Sequence, residues 1–233
     1  DRQLAELVIA DLRRWDIVIE DSAGKRLSLC PPGRFISLLC DAVDANFAPL
    51  RLLSLLKHPY CAGGMNPIQF RHFVDQIELA VLRGPRPGDG LPAIAAALDD
   101  AELRHFFETH VIANLAALID CWQAPNPTLA SLSDGIAEAA ERLCATVMDS
   151  NGAGADRGAG AIELWKNADG MAASDLFRSL AADGRDSAID AGDMPQILRQ
   201  LLEDINVHPF GTPHPRLSIL GAVEAVSYTH LRA

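Results

Sequence analysis

Hydrophobic residues recur at helical spacing over most of this chain. Leu4, Leu7, Val8, Leu12 and Trp15 follow the i, i+3, i+4 rhythm of one helix face. A short β-branched run, Ile17-Val18-Ile19, comes next and ends at "DSAGK", whose Asp, Ser and Gly favour a turn. A helix followed by a strand at the start of the chain predicts a parallel strand ahead of it, so the chain is expected to open in the middle of an α/β fold. Pro31-Pro32-Gly33 then marks a helix entry, because the fixed φ of proline suits the first helical turn. Phe35, Leu38, Leu39, Ala42, Val43 and Phe47 continue the helical period, and Leu50, Leu53 and Leu56 predict a further helix that stops at "KHPYCAGG".

Helices dominate from there, with segments predicted over 66–82, 92–98, 100–122, 129–148, 171–182 and 193–206. Three loops interrupt them: "RGPRPGDG" at 83–90, "QAPNPT" at 123–128 and "DSNGAGADRGAG" at 149–160. The glycines of the last make ordering costly in backbone entropy, and it is expected to be the most mobile segment. "LSIL" at 217–220 suits a buried strand. Strand-like pieces near both ends and helices between them predict a mainly α chain with a small α/β part, in which one α/β core carries a helical insertion.

Composition narrows the function classes. No apolar run approaches the ~18 residues that a membrane-crossing helix needs, so a soluble chain without a membrane partner is expected. The five cysteines, at 30, 40, 61, 121 and 144, include no C-x-x-C pair. They are read as buried thiols of a reducing, cytoplasmic compartment. The formal charge is −11, but residues 1–90 carry 11 Lys/Arg and 11 Asp/Glu while residues 91–233 carry 9 and 20. A phosphate backbone would therefore be met within the first ninety residues.

Most candidate motifs fail on spacing. Gly24-Lys25 lacks the upstream glycine and following Ser/Thr of a phosphate loop, since Ile19 and Arg26 stand there. "HFFETH" at 105–110 sets its histidines five apart, not on one helix face as zinc requires. "DSNGAGADRGAG" starts like a calcium loop but has Gly160 where the bidentate Glu belongs. Asp99-Asp100 reads as a helix start, and no nucleophile–base pairing emerges. "LRLLSLLKHPYCAGG" is more suggestive. A helix ending in Lys57 and His58, then Pro, then Gly63 and Gly64 leading into another helix, could offer backbone N–H groups and a cation to a phosphate. An ordinary helix–turn–helix connection is the alternative.

Taken together, "DRQLAELVIADLRRWDIVIEDSAGKRL", "LLSLLKHPYCAGG", "LRGPRPGDGL", "IELWKNADGMAASDLF" and "HPRLSILGAVEA" resemble the AddB family. That family supplies the helicase/nuclease-like subunit of bacterial double-strand-break repair complexes, and the likeness is to its alphaproteobacterial branch. The resemblance implies a truncated piece of a superfamily 1 helicase-like second RecA-like domain with a helical insertion. Residues 1–30 would be the first part of the core, 31–206 the insertion, 207–225 the return to the core, and 226–233, "VSYTHLRA", a non-native tail. It further implies DNA binding by Lys57, His58, Gly63 and Gly64, with Arg71 as a weaker companion. Glu224 is the one match to the nucleotide-coupling motif. Duplex DNA and an AddA-like helicase–nuclease subunit would be the partners. ATP, magnesium and an iron–sulfur cluster belong to the parent protein, with no cofactor and no catalytic residue in this stretch. The rival expectation is a helical protein-interaction module without a nucleic-acid role.

Overall fold

A computed structural model describes residues 2–85, 87–146, 157–208, 214 and 217–220. The chain is mainly helical. The first helix, α1 (Arg2–Arg13), leads through a turn to a two-residue strand, β1 (Glu20–Asp21), and a second, β2 (Lys25–Arg26). Then come α2 (Pro31–Asp44), α3 (Pro49–Leu56), α4 (Pro67–Ile77), α5 (Gly90–Ala96), α6 (Ala101–Phe106), α7 (Ala113–Trp122) and α8 (Leu129–Cys144). Wide turns over Glu78–Leu82 and Phe107–Ile112 extend α4 and join α6 to α7. The last described elements are α9 (Arg157–Trp165), α10 (Asn167–Asp183), α11 (Met194–Asp204), β3 (Asn206–Val207) and β4 (Ser218–Ile219).

Local chemistry sets where these helices begin. Pro31 and Pro32 occupy the first turn of α2, as their fixed φ predicts. Asn66 caps α4 by accepting the Ile68 N–H at 2.9 Å, and Asp100 caps α6 through the Glu102 N–H at 2.8 Å. Thr128 and Ser131 exchange hydrogen bonds of 3.1 and 2.9 Å at the start of α8 in a reciprocal cap. The apolar faces so aligned meet in one core, in which Phe35, Leu55, Phe70, Phe107, Leu118 and Ile136 are fully buried. On α3 the buried stripe is Leu52, Leu55 and Leu56, with Leu50 exposed. It is turned by one position from the Leu50–Leu53–Leu56 repeat because α2 and the turn after α4 flank the helix.

Two features depart from expectation. Residues 157–160, read as loop, form the start of α9, whose Leu164 is buried. Gly160 sits so close to α8 that a Cβ there would lie 2.4 Å from the Glu141 carbonyl oxygen. A glycine that looks like flexibility in the sequence is therefore a close-packing residue between two helices. The remainder of that loop, 149–156, lies outside the described residues. The ladder near Ile17–Ile19 falls instead at Glu20–Asp21, the residues next along.

β1 and β4 pair in parallel, Glu20 opposite Ser218 and Asp21 opposite Ile219. The pairing is extended by Ser22 N–H to the Ile219 carbonyl at 3.0 Å and His214 N–H to the Val18 carbonyl at 2.7 Å. A second pairing joins β2 to β3 in antiparallel fashion, Lys25 opposite Val207 and Arg26 opposite Asn206. Leu27 N–H continues it to the Ile205 carbonyl at 2.8 Å. The chain thus enters and leaves the helical block side by side. On the α/β side of this neck the apolar stripe of α1 is uncovered: Leu4, Leu7 and Val8 are exposed, and Trp15 beyond the helix is 78% exposed.

Candidate nucleic-acid interface

The segment from Lys57 to Asn66 links α3 to α4 and contains four of the residues expected to meet a phosphate. Lys57 closes α3, its N–H donating to the Leu53 carbonyl at 3.0 Å. Its ammonium donates to Glu78 and lies 3.0 Å from the Asp75 carboxylate. The other Glu78 oxygen accepts from Arg83 Nε at 2.8 Å. These hydrogen bonds, that to Glu78 first, hold the Lys57 pKa above its ordinary value, and those from Lys57 and Arg83 hold Glu78 below its own. Lys57 is therefore a cation already matched by two carboxylates.

The glycine pair is also engaged. Gly63 and Gly64 have φ of +56° and +82°, a left-handed pair that favours glycine. Their N–H groups donate to the Leu143 carbonyl at 2.8 Å and the Ala145 carbonyl at 2.7 Å, and Ala62 N–H shares the Leu143 oxygen at 2.8 Å. The Gly63 carbonyl contacts His110 Nδ1 at 2.9 Å and accepts from Asn114 Nδ2 at 3.3 Å. The loop is stapled to the carboxyl end of α8, where unsatisfied helix carbonyls need donors. Its N–H groups satisfy those carbonyls, which corrects the expectation that they face a phosphate.

His58 occupies a different environment. Its ring lies 5.0 Å from that of Phe35 and 5.4 Å from that of Tyr60, edge-on to the latter. Nδ1 accepts the Tyr60 N–H at 3.3 Å. Burial, and then the positive charges of Arg34 and Arg71, push its pKa down to about 4. The imidazole is neutral at physiological pH, and because Nδ1 is an acceptor the proton resides on Nε2.

Arg71, one residue beyond the buried Phe70 on α4, is half-buried; Arg34, one residue before Phe35 in the first turn of α2, is exposed. Among the described residues neither guanidinium has a carboxylate within ion-pair distance. Arg34 escaped the sequence reading, although an arginine beside the first buried aromatic of a helix was a visible signal. Of the expected residues, then, Lys57, Gly63 and Gly64 are tied into the scaffold, His58 packs between Phe35 and Tyr60, and Arg71 stands half-buried on α4. Glu224 and the segment 226–233 lie outside the described residues.

Other chemistry is sparse. His105 and His110 do not meet at a common site: His105 is exposed and His110 bonds to Gly63. Among the described residues no three of His, Cys, Asp or Glu converge as metal ligands. All five cysteines are free thiols; burial, the largest cause, raises the pKa of each, and Cys61 is further influenced by Arg71. Among the described residues no helix is long and apolar enough to cross a membrane.

Comparison with protein-family models, with curated proteins and with solved structures gives no match for this chain.

Proposed function

We propose that this chain is part of an AddB-like subunit of a cytoplasmic helicase–nuclease complex that processes double-strand breaks for recombination. In this reading the helical block engages duplex DNA and the α/β part docks against neighbouring domains or an AddA-like partner. The support comes from β1 and β4: a parallel pair drawn from the two flanks of a long helical block, with entry and exit zipped by β2 and β3. A helical insertion within an α/β core requires such a neck, and the ordered succession of family-like stretches joins that architecture to DNA work. Nucleotide hydrolysis and phosphodiester cleavage belong to other parts of the parent, and this stretch carries neither.

The test is a titration of the 233-residue chain with a labelled duplex at several salt concentrations. The expected result is binding at low salt whose logarithm falls linearly with that of the salt concentration, as counterion release requires. No binding at low salt would overturn the DNA reading. The uncovered apolar stripe of α1 favours a second reading, a helical protein-interaction module. Partner binding indifferent to DNA and to salt would support it.

A further inference from the structure

We infer that the cavity between the α7–α8 and α10–α11 connections is a docking site for a basic peptide of a partner protein, one of whose arginine or lysine side chains enters it. The inference stands apart from both readings of the function above. The cavity has a volume of about 400 Å³, and its lining includes Trp122, Pro125, Asn126, Pro127, Ile189 and Asp190. Its two walls are tied together through the backbone. Leu129 N–H donates to the Ser187 carbonyl at 2.8 Å and Ile189 N–H to the Pro127 carbonyl at 3.1 Å, with Thr128 opposite Ala188 between them. Two prolines fix φ along one wall, and Trp122, the last residue of α7, packs partly on the core. The cavity is therefore shaped before a ligand arrives, which lowers the entropy lost on binding.

An indole, prolines and a carboxylate in one cavity suit a cation carried on an alkyl stem. The stem lies against apolar surface such as that of Pro125, Pro127 and Ile189, while the charged head is drawn by the indole of Trp122 and the carboxylate of Asp190. Asp190 is held in place, since its Oδ1 accepts the Gly192 N–H at 2.9 Å. Asp44 of α2 stands beside it: a Cβ on Gly192 would lie 3.4 Å from Asp190 Oδ1 and 4.0 Å from Asp44 Oδ1. Among the described residues no cation is within ion-pair distance of either carboxylate, and Arg51 and Arg199 turn to Asp41 instead, at 3.6 and 3.3 Å. Burial, then the charges of Asp41 and Asp190, raise the Asp44 pKa, so an incoming cation relieves a repulsion already present. Residues 183–193 carry four Asp and one Arg, a balance that favours a basic peptide and opposes a phosphate backbone. A bare metal ion would need a third protein ligand, and among the described residues none joins the pair.

The experiment titrates the full chain with a labelled peptide of alternating Gly and Arg and, separately, with its counterpart in which every Arg is Gln. NMR follows the indole N–H signals of Trp15, Trp122 and Trp165, with Trp122→Phe assigning the one in question. The Arg peptide is expected to move the Trp122 signal and leave the other two in place, and the Gln peptide to move none. Fluorescence anisotropy of the label gives the affinity. Asp190→Asn, which keeps an oxygen for the Gly192 cap, is expected to weaken the Arg peptide roughly tenfold. Asp175→Asn, on the exposed side of α10 where Asp175 pairs with Arg178 at 2.6 Å, is expected to leave the affinity unchanged, although it removes the same charge. Circular dichroism confirms that each variant is folded. Wild-type affinity in Asp190→Asn, an equal loss in Asp175→Asn, an unmoved Trp122 signal, or a Gln peptide that binds as well as the Arg peptide overturns the inference. So does a Trp122 signal that answers a short DNA duplex and not the peptide.

Discussion

The ammonium of Lys57 is bound by the carboxylate of Glu78, a residue 21 positions along the chain that is itself buried and also holds Arg83. This arrangement turns the most visible cation of the "KHPYCAGG" stretch into a tie between α3 and the wide turn that extends α4.

Replacing Glu78 with Gln removes the shared negative charge, so Arg83 loses its carboxylate and Lys57 keeps only Asp75. The variant is expected to unfold at lower denaturant concentration than wild type at neutral pH. Because the Glu78 pKa lies below its ordinary value in the folded chain, its stabilisation is present above the usual carboxylate range. It is lost as pH falls through the folded value. The gap between variant and wild type therefore narrows under acid, which denaturation midpoints at a series of pH values would reveal. A gap independent of pH would contradict this role.

His58 contributes a second pH dependence of the opposite origin. The unfolded imidazole protonates near 6.5, whereas the folded one does so only at about 4. Between those values the unfolded chain binds more protons, so stability drops as pH is lowered from 6.5 towards 4. His58→Gln should flatten that part of the profile. Thermal unfolding of both proteins across the interval measures it, and parallel profiles would count against a neutral His58.

Gly63 is a point of steric constraint. A Cβ at this position would stand 2.7 Å from the His110 carbonyl oxygen and 2.7 Å from the Phe70 ring, in a left-handed backbone conformation. Gly63→Ala is expected to cost about 2–4 kcal/mol. It should also loosen the Ala62 and Gly63 bonds to Leu143. Hydrogen exchange at those two amides, read beside the global stability, separates local release from general destabilisation. An alanine variant as stable as wild type would show that the loop tolerates another path.

The neck makes a topological prediction. The Leu27 N–H, bonded to the Ile205 carbonyl at 2.8 Å and wholly buried as a side chain, should exchange as slowly as the amides of α2. Its protection should disappear when chain 205–207 is detached by a Pro at Val207, since proline inside the ladder clashes with the pairing geometry. Protection that survives this change would mean that β2 and β3 do not close the block.

Much of the fold was legible from short-range pattern. Helix bonds join residues four apart, so apolar period, Pro31-Pro32 and Asp99-Asp100 mark helices and their starts from local information alone. The site was less legible. His58 and Arg71 were singled out from the sequence, but the same stretch also pointed to Lys57, Gly63 and Gly64, whose polar groups satisfy distant parts of the scaffold.

The sequence by itself determined a mainly helical chain and the apolar runs that flank its helices, though not the buried face of every helix, since the stripe of α1 is exposed and that of α3 is turned. Only the tertiary structure decided that β1 meets β4 in parallel, that Glu78 takes Lys57, that the carboxyl end of α8 captures the glycine pair, and that His58 packs between Phe35 and Tyr60. Helical periodicity is written in neighbours a turn apart. Charge pairing and hydrogen-bond satisfaction depend instead on which distant segments the packed core brings within about 3 Å of one another.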